Sequence, residues 1–412
     1  MDLEKRALKV LEGNKKEGYS PNLQRSYFYI APDPIHHHQW FWDSCFHIIV
    51  MSQFRPEWAW RELASLLSVQ QADGFIPHLI FWKWRILDFL PFFWWWKRER
   101  HPRIKFITAE IQPPVIGLAL EAIHQADHKT ADLFPILLKV EQYFNYLKKK
   151  RDPDRDGLIS IITPMESGMD FAPQFDIPLD VIDHSPRRLK QKINRMLEVY
   201  HRLEWKLEEI FPLAIFDFED VGFNTIHALS LEALGRIWKG VDAKKARGYE
   251  EEYQRVRDTI IEKMWDEEDG IFYGCYHREG KEIPVRIKTI SSLLPITLDL
   301  PKRYVTRLID HITDEEEFWL PYPIPSVAKN EKAFGPLTNT RRIWRGTTWI
   351  NTNWFIAKGL LRHGEIELYQ RLKRKTLDLI ERFGFCEFYD PFDGHPGRAE
   401  RNFSWSTLAV IL

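Results

Sequence analysis

The sequence predicts an all-α fold, a toroid of helices whose inner rim is made of loops and helix ends. Three observations predict it. Apolar residues recur at helical spacing from one end of the 412 residues to the other, the mark of amphipathic helices rather than alternating strands. The residues able to do chemistry gather in the connections between those stretches, where a rigid scaffold presents them. No low-complexity or Pro/Gly/Ser-rich stretch divides the chain, so a single domain over 1–412 is the simpler organisation. No fixed sequence period is present, which disfavours a regular solenoid.

Taken in order, Leu3, Ala7, Val10 and Leu11 mark a first helix that Gly13 can close. Residues 39–44 begin a second. Pro56 opens another that runs through Trp60, Leu63, Leu66 and Leu67 towards the turn at Asp73-Gly74. The same spacing predicts helices over 115–126, 132–150, 187–210, 223–239, 249–265, 304–312, 349–362 and 365–383. Strand-like pieces are few and short, the clearest being 271–276, after the Asp269-Gly270 turn, and 385–389.

Composition excludes several classes of function. Lys plus Arg is 58 against 59 Asp plus Glu, a net charge of -1, so there is no basic field to hold nucleic acid or an anionic membrane. Three cysteines, Cys45, Cys275 and Cys386, cannot make a disulfide framework and fit a reducing compartment. Residues 1–20 carry Lys and Glu throughout and lack the apolar stretch of a secretory signal, so a cytoplasmic location is expected. The most membrane-like segment, 81–96, is broken by Lys83, Arg85, Asp88 and Pro91 and is not expected to span a bilayer. Aromatic residues, with 17 Trp among them, make up 14% of the chain. Flat, rigid rings suit sugar pockets because the apolar faces of a pyranose stack on them; a large aromatic core would also use them.

Two acidic blocks could carry proton chemistry. In Pro164-Met165-Glu166-Ser167-Gly168-Met169-Asp170, two carboxylates lie four residues apart among apolar side chains. Burial there raises a carboxyl pKa and can make a proton donor, although an isolated block of this kind is more often a helix-entry turn with solvated carboxylates. In Phe385-Cys386-Glu387-Phe388-Tyr389-Asp390-Pro391, Glu387 stands between aromatics ahead of a turn sequence. One acid and one base, remote in sequence, are what glycoside hydrolysis requires. Four aromatic–polar clusters accompany them: Trp40 to Ser44 with Trp42 and Asp43, the loop at Gly74 to His78, Gln112 before two prolines, and Trp344-Arg345 to Trp354 with Trp349. Any one alone is ordinary core packing around a capped helix.

Together these pieces resemble glycoside hydrolase family 63 and, more distantly, the family 37 trehalases. The resemblance runs from Trp40 to Trp405 through FWDSCFH (41–47), DGFIPH (73–78), QPP (112–114), ESGMD (166–170), WRGTTWINTNW (344–354), EFYDP (387–391) and FSW (403–405). It implies an (α/α)6 barrel of six helical hairpins and hydrolysis with inversion, Asp170 as general acid and Glu387 as general base. Their carboxyls would then lie about 6.5–9.5 Å apart, leaving room for a water. Trp42, Asp43, His78, Gln112, Gly168, Trp344 and Trp349 would line the sugar subsite, with Arg345 beside them. The short single-domain length is similar to the hydrolases of mannosylglycerate and glucosylglycerate, so a small carbohydrate is the expected partner and no cofactor is expected. One departure is Met165, where relatives usually carry a tryptophan, which bears on which sugar is bound.

The remaining signals are weaker. The aromatic insertion at about 82–103 reads as a lid or a homo-oligomer contact ahead of a membrane surface. A glycerate carboxylate would need a cation, for which Arg187 and Arg188 are candidates on position, though equally solvated helix-surface charges. Asp152-Pro153-Asp154-Arg155-Asp156-Gly157 opens like a calcium loop, but its twelfth position is Thr163, so an acidic turn is expected. The run His36-His37-His38 could bind a transition metal but is too short and too internal for a purification tag, and no metal is expected.

Overall fold

The helices fall into two kinds, for a reason visible in their residues. Some are apolar nearly all round and must be covered on every side; others carry one apolar stripe and one charged face. The computed structural model describes residues 3–83, 98–127, 133–336 and 343–412. In chain order its longer helices are α1 Leu3–Asn14, α2 Phe41–Phe54, α3 Pro56–Ser68, α4 Ile116–Ala126, α5 Leu133–Lys150, α6 Pro186–Arg202, α7 Val221–Trp238, α8 Ala243–Met264, α9 Lys302–Thr313, α10 Ile350–Arg362 and α11 Ile366–Phe383. Two 3-10 segments, Ile290–Thr297 and Ser404–Ile411, are buried along most of their length.

The covered segments pack on one another in sequence order. Helix α2 lies against α4, α4 against α7, α7 against Ile290–Thr297, that segment against α10, and α10 against Ser404–Ile411, which returns to α2. Amphipathic partners flank them: α3 on α2, α8 on α7, α9 on Ile290–Thr297, α11 on α10, and α1 on Ser404–Ile411. Most of the buried apolar side chains among the described residues form one continuous core. The contact between the two ends of the chain is polar as well as apolar. The Ser404 hydroxyl lies 2.6 and 2.7 Å from the carbonyls of Ala31 and Pro32, and the buried Asn14 amide donates to Asn402 O at 2.8 Å.

The result is a mostly helical molecule with few, short strands. These are β1 Lys15–Ser20, β2 Arg25–Ile30, β3 Gln39–Trp40, β4 Leu79–Ile80, β5 Ser160–Ile161, β6 Phe218–Glu219, β7 Trp265–Asp266, β8 Ile271–Phe272, β9 Cys275–Arg278 and β10 Lys281–Pro284. β1 and β2 form an antiparallel hairpin with Lys15 opposite Ile30; the largest sheet has the order β10-β9-β6-β5. No helix among the described residues is long and apolar enough to cross a membrane.

Several elements differ from expectation. α1 runs past Gly13 to Asn14. The helix expected over 187–210 stops at Arg202, because Glu204 and Trp205 turn left-handed (φ 53° and 57°) and the buried Trp205 indole donates to Arg98 O at 3.1 Å. The strand expected over 271–276 is two pieces in two sheets, β8 paired with β7 and β9 with β6 and β10. Residues 385–389 are extended but form no strand: Cys386 bridges to Arg401 on one side and Tyr389 to Thr348 on the other, so no ladder builds up. Of the aromatic insertion, 84–97 lies outside the described residues, as does Asp132, the expected first residue of α5.

Candidate active site

The acid block is a tight turn held from beneath. Pro164–Ser167 is a 3-10 turn closed by Gly168 at φ 74°, a left-handed conformation that suits glycine. A Cβ on Gly168 would also stand 2.7 Å from the Trp42 indole, so glycine lets the turn lie directly on that ring. Glu166 is the anchor. Arg151 donates to both its oxygens at 2.9 and 2.6 Å, and the backbone N–H groups of Ile111 and Ile162 donate at 3.0 and 2.8 Å. With its carboxylate engaged in this way, Glu166 orients the turn. Asp170 follows, partly exposed. Burial pushes its carboxyl up to about 7, against a smaller lowering by its own backbone N–H. Met165 is buried in the core.

The base block is carried by extended chain. The Glu387 backbone N–H donates to Glu400 O at 2.9 Å, and the Trp405 indole N–H reaches Glu387 O at 3.4 Å. Burial raises the Glu387 carboxyl to about 7, while the nearby His36 charge pulls it down and Asp33 and Glu400 push it up. His36 is itself anchored, its Nδ1 2.5 Å from Asp33 Oδ2. Asp43, in the first turn of α2, is buried; desolvation holds its carboxyl well above the usual range, with the Glu387 charge adding to this and His36 opposing it.

Indoles join the two blocks. Trp42, which touches the Gly168 turn, meets Trp405 edge to face at 5.6 Å and Trp344 at 6.4 Å; Trp405 in turn covers the Glu387 carbonyl. Trp344 and Trp349 stack face to face, 3.7 Å apart and 3° from parallel, and Trp349 also packs on Phe388 at 5.0 Å. Trp344 adopts φ 61°, an unfavourable conformation for a bulky residue that its surroundings must hold in place. Trp349, wholly buried, backs Trp344.

The other expected site residues are placed as follows. Gln112 reaches the start of α2, where its Oε1 accepts the Trp42 backbone N–H at 3.0 Å. His78 is buried beside Trp40, with Nδ1 3.4 Å from Thr108 Oγ1, and burial lowers its pKa to about 3, leaving the ring neutral. Arg345 lies behind the wall, its guanidinium bonded to both oxygens of Asp176 at 2.8 and 2.6 Å and to His184 O at 3.1 Å. Arg187 and Arg188 stand exposed at the start of α6, with Arg188 3.4 Å from Asp183. In the 152–157 turn, Asp152 accepts the Gly157 N–H at 3.1 Å, and the Lys263 ammonium pairs with Asp156 and with Glu282.

Sequence reasoning missed the partners. Arg151, Asp176 and Trp405 each hold a site residue, yet lie 15, 169 and 18 positions from it. A buried arginine beside a buried carboxylate leaves no periodic signal; only the tryptophan of the FSW motif offered one.

Two carboxyls raised by burial, set around an indole wall in a helical scaffold, are the kind of pair that glycoside hydrolysis uses. The chain belongs to the family described as the mannosylglycerate hydrolase MGH1-like glycoside hydrolase domain, whose model matches residues 36–406. It is similar to the mannosylglycerate hydrolase of Thermus thermophilus, 33% identical with 99% of each chain covered. A glucosylglycerate hydrolase of Mycolicibacterium hassiacum is 25% identical with 91% of each covered. Among solved structures, a GH63 mannosylglycerate hydrolase from Thermus thermophilus in complex with Tris and D-glycerate superposes with a TM-score of 0.83 at 29% identity, over 99% of this chain and 98% of that one.

Proposed function

We propose that this chain hydrolyses a small α-glycoside of glycerate, mannosylglycerate or glucosylglycerate, to free sugar and glycerate with inversion at the anomeric carbon. The observation that carries the reading is the pair Asp170 and Glu387, both raised to about 7 and linked through Trp42 and Trp405. Glu387 takes a proton from a water whose oxygen bonds to the anomeric carbon. The bond from that carbon to the glycerate oxygen breaks, and Asp170 delivers its proton to the departing oxygen. The indoles pack against the sugar, and Asp43 bonds its hydroxyls. The ring of contacts that returns from Ser404–Ile411 to α2 supports an (α/α)6 scaffold of six hairpins. The similarity to hydrolases of both glycerate conjugates supports the substrate class. Three buried, unpaired cysteines support a cytoplasmic setting.

A second reading, an α-glucosidase or trehalase-like hydrolase of neutral disaccharides, is favoured by one observation. The arginines expected for a glycerate carboxylate, Arg187 and Arg188, stand exposed, and Arg345, expected beside the sugar subsite, is engaged with Asp176. Sugar release from mannosylglycerate, glucosylglycerate, trehalose, kojibiose and nigerose decides between the two. The proposal expects cleavage of a glycerate conjugate only, with the β-anomer appearing first by proton NMR. Asp170→Asn and Glu387→Gln are each expected to lower kcat by about 10²- to 10⁴-fold. Cleavage of the neutral disaccharides alone, or first release of the α-anomer, would overturn the substrate or the stereochemistry respectively.

A further inference from the structure

His78, Glu99 and Glu110 are dispersed in sequence, and short backbone pairings draw them together. His78 N donates to Glu110 O at 2.8 Å, Ala109 N to Glu99 O at 2.8 Å, and Thr108 N to Leu79 O at 3.1 Å. One ligand atom from each of the three residues lies within 4.8 Å of the other two, and all three side chains are buried. His78 Nδ1 is 3.7 Å from Glu110 Oε2. Glu110 Oε1 is taken by the Thr163 hydroxyl at 2.6 Å, but Glu110 Oε2 and both Glu99 oxygens receive no hydrogen bond among the described residues from any group other than the facing carboxyl of the pair. No lysine or arginine among the described residues pairs with either glutamate; Arg98, adjacent in sequence, pairs instead with Glu198 at 2.5 Å.

Two carboxyls removed from water at this spacing require compensation, either by a proton held between them or by a cation. An imidazole at the third corner favours a metal, since it adds a nitrogen ligand to two oxygens. We propose that His78, Glu99 and Glu110 form a binding site for one divalent metal ion of the zinc or manganese type. One nitrogen and two carboxylate oxygens suit such ions, whereas calcium and magnesium prefer oxygen alone. The site was not foreseen from sequence, where the candidate metal runs were His36 to His38 and the 152–157 turn. It does not rest on the glycosidase reading, and its test reads metal content and stability rather than turnover.

The full chain is refolded with Zn2+ or Mn2+, desalted, and analysed for bound metal by mass spectrometry and for thermal unfolding with and without EDTA. The expected result is one equivalent per chain and a lower Tm after chelation. Glu99→Gln and Glu110→Gln lose the metal; Glu99→Asp, which keeps a carboxylate, retains it more weakly. Asp154→Asn, in a separate acidic group that includes Glu219 and His277, leaves the stoichiometry unchanged. Absence of bound metal in the wild type, with Glu110→Gln melting at or above it, would show a shared proton and overturn the proposal. Loss of metal in Asp154→Asn rather than in the Glu99 and Glu110 variants would overturn it equally.

Discussion

Asp170 and Glu387 have the same carboxyl chemistry and reach the same value, about 7, chiefly through burial. The work proposed for them needs opposite protonation states, Asp170 carrying its proton and Glu387 without one. Below about pH 7 Glu387 gains a proton and the base is lost; above about pH 7 Asp170 gives its proton up and the acid is lost. The kcat/KM profile is therefore expected to be a narrow bell centred near neutrality. A plateau from about pH 5 to about pH 9 would refute this assignment. Gly168 sets the geometry of the acid turn by conformation and by space. Gly168→Ala places a methyl in a left-handed backbone position and 2.7 Å from the Trp42 ring. We expect a loss of about 1–3 kcal/mol in urea unfolding, together with a raised KM as the indole is displaced.

At the scale of the element, the start of α2 shows how a loop residue can serve a helix. Trp40, in the N-cap position, makes no side-chain cap, so the free N–H of Trp42 is satisfied by Gln112, from the segment before α4. Gln112→Ala leaves that buried donor unpaired and is expected to lower stability by about 1–2 kcal/mol, read as a reduced Tm, with kcat reduced as Trp42 and Asp43 shift. Gln112→Glu, which keeps an acceptor oxygen, should recover most of the stability. Periodicity found the long helices, because an apolar stripe must face a neighbour wherever the helix goes. It failed at 187–210, where docking of the Trp205 indole ends α6, and at 385–389, where the chain pairs with two different segments. Both outcomes depend on partners far away in sequence.

At the scale of the whole molecule, the last segment completes the packing. Ser404–Ile411 lies between α10 and α2 and brings Trp405 to both Trp42 and Glu387. A chain ending at Asn402 would expose apolar faces of α2 and α10 and lose one wall of the site. Its thermal unfolding by circular dichroism is expected to become broad and non-cooperative, with no activity remaining. A sharp transition near the wild-type Tm would show that the helices close without this segment.

Residue order alone was enough for the helical class, for most long helices to within a few residues and, through ordered motifs, for the family and its two acidic blocks. These are local properties: spacing along a helix and short runs whose chemistry is legible in one dimension. Which charged groups are committed to holding the site emerged only from the packed molecule. Glu166 is bound by Arg151 and Arg345 by Asp176, so neither side chain is simply available to a sugar as its motif alone would suggest. Packing also raises Asp170 and Glu387 alike and turns His78 towards two glutamates, because desolvation and pairing depend on what the completed fold puts around each group.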